Sequence, residues 1–165
     1  MPPLLRRLAA LFAVLGCTAA CVVALMVTTS ILGRALVARP LPGDVELTQF
    51  GIALSIALCL PWAQLTRSNI IVDFFTQRLR ERTQRRLDAL GALLLALMTG
   101  LLAWRAGMGA AAVREASETT MILGLPMWWT YAVLAPGLAL TALIALVQAA
   151  QLLRQPTAAR PGLSA

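Results

Sequence analysis

The sequence predicts an all-α integral membrane protein: four transmembrane helices, with a short interfacial amphipathic helix between spans two and three. Three observations carry that prediction. Of the 165 residues, 59% are hydrophobic and only 13% are charged, about half the charged share of a soluble domain. The apolar residues run in blocks, and about 20 apolar residues of helix cross a bilayer. The cations are all arginine, 14 of them for a net charge of +7, and they gather at the ends of those blocks. A basic chain of this size can bind nucleic acid, but arginines placed this way follow the positive-inside rule, so no nucleic-acid partner is expected.

The spans are expected at about 8–33, 47–66, 85–113 and 126–153, in one membrane domain covering residues 1–165. Met1 to Arg7 is a basic lead, and Leu8 to Gly33 holds no charge over 26 residues. That run exceeds the 7–15-residue core of a signal peptide, so a retained first span is expected rather than a cleaved leader. Pro40, Pro42 and Gly43 form a turn. Asp44 is expected to cap the second helix, and Glu46 to complement the dipole of its first turn. Pro61 should bend or loosen the far end of that span, and Trp62 suits the headgroup level.

The stretch from Asn69 to Asp88 holds five of the fourteen arginines. On a helix, Ile71, Phe74, Phe75 and Leu79 share one apolar face. A helix over about 69–80 is too short to span, but it can lie in the interface as an arm. Arg78, Arg80, Arg82, Arg85 and Arg86 are candidate contacts for lipid headgroups or for a partner, so membrane lipids count among the expected partners. The third span follows, with Arg105 expected to snorkel outward or to pair with Glu115 or Glu118. Pro126 fits the first position of the fourth helix, with Trp128, Trp129 and Tyr131 as an interfacial belt. Pro136-Gly137 marks a kink or a close helix contact.

With four spans, both termini share one side. Ten arginines fall on that side and four on the other, which predicts cytoplasmic termini. Cys17, Cys21 and Cys59 lie in apolar blocks and read as small packing residues. No metal constellation, phosphate-binding glycine loop or nucleophile–base pair is present in the sequence, and no charge sits at the centre of a span. No cofactor is expected. This pattern fits an accessory subunit better than an enzyme or a self-sufficient carrier.

Pro61-Trp62-Ala63-Gln64, Asn69-Ile70-Ile71-Val72-Asp73, Trp104, Glu118-Thr119-Thr120 and Leu123-Gly124-Leu125-Pro126-Met127-Trp128, in that order and spacing, resemble the small membrane subunit, DctQ type, of tripartite ATP-independent periplasmic (TRAP) transporters. The resemblance implies a bacterial inner-membrane importer of organic acids, driven by sodium. It also implies two partners: a large membrane permease subunit and a periplasmic substrate-binding protein. Asn69, Asp73, Glu118, Pro126 and Trp128 carry over as structural motif positions. The alternatives are the small subunit of a tripartite tricarboxylate transporter, or a self-associating four-span structural or lipid-binding protein.

Overall fold

The computed structural model describes residues 2–37, 42–66 and 81–154. Four helices account for nearly all of them: α1 (Pro3–Val37), α2 (Asp44–Leu65), α3 (Glu81–Glu115) and α4 (Trp128–Arg154). Each is long and apolar enough to cross a membrane. This is the all-α, four-span architecture that composition and patterning predict. The expected interfacial helix over 69–80 lies outside the described residues.

The helices form a row rather than a closed ring. α1 packs on α2, α2 on α4, and α4 on α3; α1 and α4 touch only slightly. α1 and α2 are antiparallel, since Gly16 meets Ser55 and Cys59 while Gly51 meets Val23. α3 and α4 are antiparallel too, with Gly100 near Ala142 and Gly109 near Tyr131. The central pair, α2 and α4, runs parallel, because Ala57 meets Gly137 and, further along both helices, Gln64 meets Gln148.

Small residues set these contacts. Lipid tails are as apolar as leucine, so helices in a bilayer associate by close packing and hydrogen bonding rather than by escape from water. At Gly137 a Cβ atom would run into the carbonyl of Ala57, so only glycine admits this approach. The expectation of a close helix contact at Pro136-Gly137 is met there. The α4 face that follows, with Thr141, Ile144, Ala145, Gln148 and Ala149, is buried.

Near the end of α2 an amide pair crosses to α4. Gln64 Nε2 donates to Gln148 Oε1 at 2.8 Å, and Gln148 Nε2 donates to the Gln64 carbonyl at 2.8 Å. Both residues are buried. An unpaired amide in an apolar setting is costly, so the pair fixes the register of α2 against α4. Hydroxyls elsewhere in the helices turn inward to carbonyls three or four residues back, as at Thr18, Thr28, Ser55, Thr99 and Thr141. This satisfies them where lipid offers no partner.

Two local expectations are corrected. Asp44 does not cap α2: the N-cap is Gly43, with φ 74° and no side-chain cap bond, and Asp44 is the first helical residue. Gly43 is required twice, by its left-handed backbone and because a Cβ there would collide with Leu123. Pro126 is not the first residue of α4, which begins at Trp128; Pro126 instead forms an isolated bridge with Thr119. The hairpin bonds around it hold it outside the helix. Pro61 lies inside α2 and is fully buried.

Replacing Gln148 with leucine leaves the Gln64 amide buried without its partner. The expected loss is about 1–2 kcal/mol. Replacing both glutamines with leucine should recover most of it. Unfolding of the single and double variants in mixed micelles measures the coupling. Gly137→Val should cost more, about 1–3 kcal/mol, because the obstruction is backbone that cannot rotate away.

Candidate functional site

Polar chemistry concentrates where α2 starts, α3 ends and α4 starts. The site begins with how α3 stops. Ser117 has φ 52°. The Ser117 N–H donates to the Arg114 carbonyl at 3.1 Å, and the Glu118 N–H donates to the Val113 carbonyl at 3.2 Å. That pair of bonds is a Schellman motif, with serine in the position that glycine usually takes. It reverses the chain and sends Glu118 back toward α4.

A short hairpin follows. Thr120 N–H donates to the Leu125 carbonyl at 2.9 Å, Met127 N–H to the Glu118 carbonyl at 3.0 Å, and Leu125 N–H to Thr120 Oγ1 at 3.0 Å. At its tip Met121 and Ile122 are exposed. The backbone N–H groups behind the tip point at Glu46. Ile122 N donates to Glu46 Oε1 at 2.8 Å and Leu123 N to Glu46 Oε2 at 3.1 Å. One carboxylate on α2 thus holds two adjacent donors of the loop, a charge-assisted arrangement stronger than neutral bonds.

Asp44, two residues earlier, looks the other way. Its Oδ2 accepts from Ser30 Oγ at 2.7 Å and from Arg34 Nη2 at 3.3 Å, both on α1, while Oδ1 accepts from Val45 N at 2.8 Å. Ser30 is buried, whereas the Arg34 side chain is 63% exposed. The start of α2 therefore joins α1 through Asp44 and the α3–α4 loop through Glu46. On the α3 side, the Arg114 guanidinium lies 5.5 Å from the centre of the Trp128 ring, and Trp128 meets Trp129 edge to face.

Three of the expected motif positions meet in this region: Glu118 and Pro126 face each other's strands of the hairpin, and Trp128 opens α4 against Arg114. Asn69 and Asp73 lie outside the described residues, as do the arm residues Ile71, Phe74, Phe75 and Leu79, and Arg78 and Arg80. Arg82, Arg85 and Arg86 lie in the first two turns of α3, and Arg86 is exposed. Arg105 is exposed and makes no ion pair among the described residues; the expected pairing with Glu115 or Glu118 is not formed.

Sequence reasoning missed the reach of Glu46, which it read only as a first-turn carboxylate. It also missed the partnership of Gln64 and Gln148. An uncharged amide alone in an apolar block was the available signal, since such groups seek interhelical partners. Among the described residues no group of His, Cys, Asp and Glu side chains could hold a metal ion. The arrangement binds helices to one another and to a loop, and it presents no reacting group.

Four helices able to cross a membrane, joined in this row, define a multi-pass membrane protein. The family model described as "Tripartite ATP-independent periplasmic transporters, DctQ component" matches residues 23–155, and the chain belongs to that family. It is therefore a multi-pass small subunit of a tripartite transporter system. No curated protein and no solved structure matches the chain.

Glu46→Gln keeps the size of the side chain but removes its charge and one of its two acceptor oxygens. Amide exchange at Ile122 and Leu123 should then quicken, while exchange along α4 stays unchanged. Equal exchange in both proteins would show that Glu46 does not hold the loop. Ser117→Gly relieves the left-handed strain of a residue with a Cβ, and should stabilise the α3 end by about 0.5–1 kcal/mol.

Proposed function

We propose that this chain is the stationary flank of a sodium-driven, binding-protein-dependent importer of organic acids, scaffolding the large permease subunit in the bacterial inner membrane. Family membership carries the reading. The outer helices support it: α1 exposes Leu11, Val14, Val22 and Leu25, and α3 exposes Leu94, Leu97, Leu101 and Trp104. Only 6% of the α1 span window and 11% of that of α3 is buried, and in a bilayer such a surface suits either lipid or a large partner. The substrate and sodium sites belong to the large subunit, and a periplasmic protein delivers the substrate. Both termini and the segment between α2 and α3 are cytoplasmic in this reading, so the α3–α4 hairpin faces the periplasm.

On this reading the amphipathic pattern at 69–80 serves to orient α3 against the large subunit. Burying one Phe contributes roughly 1.5–3 kcal/mol, so Phe74→Asp with Phe75→Asp should weaken assembly by several-fold more than neutralising Arg85 and Arg86, worth about 1 kcal/mol each. Co-purification of the large subunit with each variant measures this, beside a control for insertion.

Deleting the chain should abolish uptake of a labelled organic acid that depends on the sodium gradient, and a plasmid copy should restore it. Undiminished uptake without the chain would sink the scaffold reading. A periplasm-dependent reporter should be silent at Ala165 and active after Pro42.

A further inference from the structure

Between α1, α2 and α4 lies an elongated groove of about 500 Å³. Its walls run from Leu15 to Met26 on α1, from Leu47 to Leu54 on α2, and from Trp129 to Val133 on α4. The groove exists because α4 follows α2 but diverges from α1, which it scarcely touches. Gly51 and Ala19 contribute no bulk to its floor. The Thr18 hydroxyl on its wall is already bonded to the Leu15 carbonyl at 2.8 Å, so it asks nothing polar of an occupant. Leu15 and Val22 are exposed at its lateral opening, 49% and 65%.

Its position and size select the occupant. Leu47 and Trp129 lie in the first turns of α2 and α4, so one end is level with the membrane surface. Leu15 and Met26 are eleven residues apart, a rise of about 16 Å along a helix. Half of a hydrocarbon core about 30 Å thick is about 15 Å. The groove therefore spans one leaflet and stops near the midplane. A partner helix would run through both leaflets, whereas this groove lines only one. A single hydrocarbon chain is thin enough, and its natural depth matches.

We propose that this groove is a binding site for one acyl chain of a phospholipid from the leaflet on the side where α2 begins. The bound chain completes the packing of α1 against α4, which protein contacts leave open. The inference rests on the membrane-spanning helices alone, and not on the substrate or the driving ion.

The test uses the full chain in nanodiscs, with and without its co-expressed large subunit. The probe is a phosphatidylethanolamine with a photoreactive diazirine at the middle of one acyl chain. Labelling at Val22 and Leu54 should exceed that at Leu97, an exposed position on α3, in the full chain alone. Ala19→Phe fills the groove. The ring excludes the chain by bulk alone, since a displaced chain returns to equally apolar lipid, so groove labelling should fall to the Leu97 level while Leu97 labelling holds. Should Ala19→Phe fail to insert, Ala19→Leu gives the same comparison with less bulk. Three results overturn the proposal: groove labelling no greater than at Leu97, groove labelling unchanged in the inserted variant, or a photoreactive residue at position 19 that cross-links to the large subunit in place of lipid.

Discussion

The arrangement depends on one close approach, that of α2 to α4 at Ala57 and Gly137. Two parallel helices have no short connection to hold them together; here α3 and the segments on either side of it intervene between them in sequence. Their contact must therefore come from the surfaces themselves. A glycine without a Cβ lets the backbones meet, and the buried Gln64–Gln148 amides, further along both helices, punish any slip in register. Once that pair is set, α1 and α3 need only add as antiparallel neighbours, through further small residues at Gly16, Gly51 and Gly100. The same logic explains why most of the best-buried residues sit on α4 and the far half of α2, while α1 and α3 remain largely uncovered apart from single residues such as Ala9, Ser30 and Ala89.

The opposite end of α2 works by charge rather than by shape. Asp44 and Glu46 are separated by one residue, so on a helix they point about 200° apart. One reaches Ser30 and Arg34 on α1, and the other reaches the hairpin between α3 and α4. Two carboxylates in the first turn also complement the helix dipole. That placement reconciles stability of α2 itself with attachment to both of its neighbours. The Schellman turn at Ser117 and the stack of Arg114 on Trp128 hold the hairpin from its other side.

Much of the fold was legible in the sequence because its signal is one-dimensional. Uncharged runs bounded by arginines report spans without knowledge of neighbours, and Pro136-Gly137 signalled a kink or a close contact without naming Ala57 as a partner. What composition could not supply was pairing. Gln64 and Gln148 are 84 residues apart, and nothing in either block says that they meet. Glu46 looked like a simple dipole partner because its two donors are backbone amides, which carry no sequence identity. Pro126 was misplaced for a similar reason: a proline two residues before a helix and one at its first position differ only in the backbone bonds around them. Of the motif positions, Glu118, Pro126 and Trp128 were legible as a group through their order in the chain, although the hairpin that unites them was not. The arm at 69–80 rests on its amphipathic pattern alone.

A row of four helices has two broad faces and two edges. α1 and α3 stand at opposite ends and share no substantial interface among the described residues, so the row does not close on itself. Such a body resembles a plank more than a pipe. It can brace, shield or align something beside it over the full thickness of the bilayer.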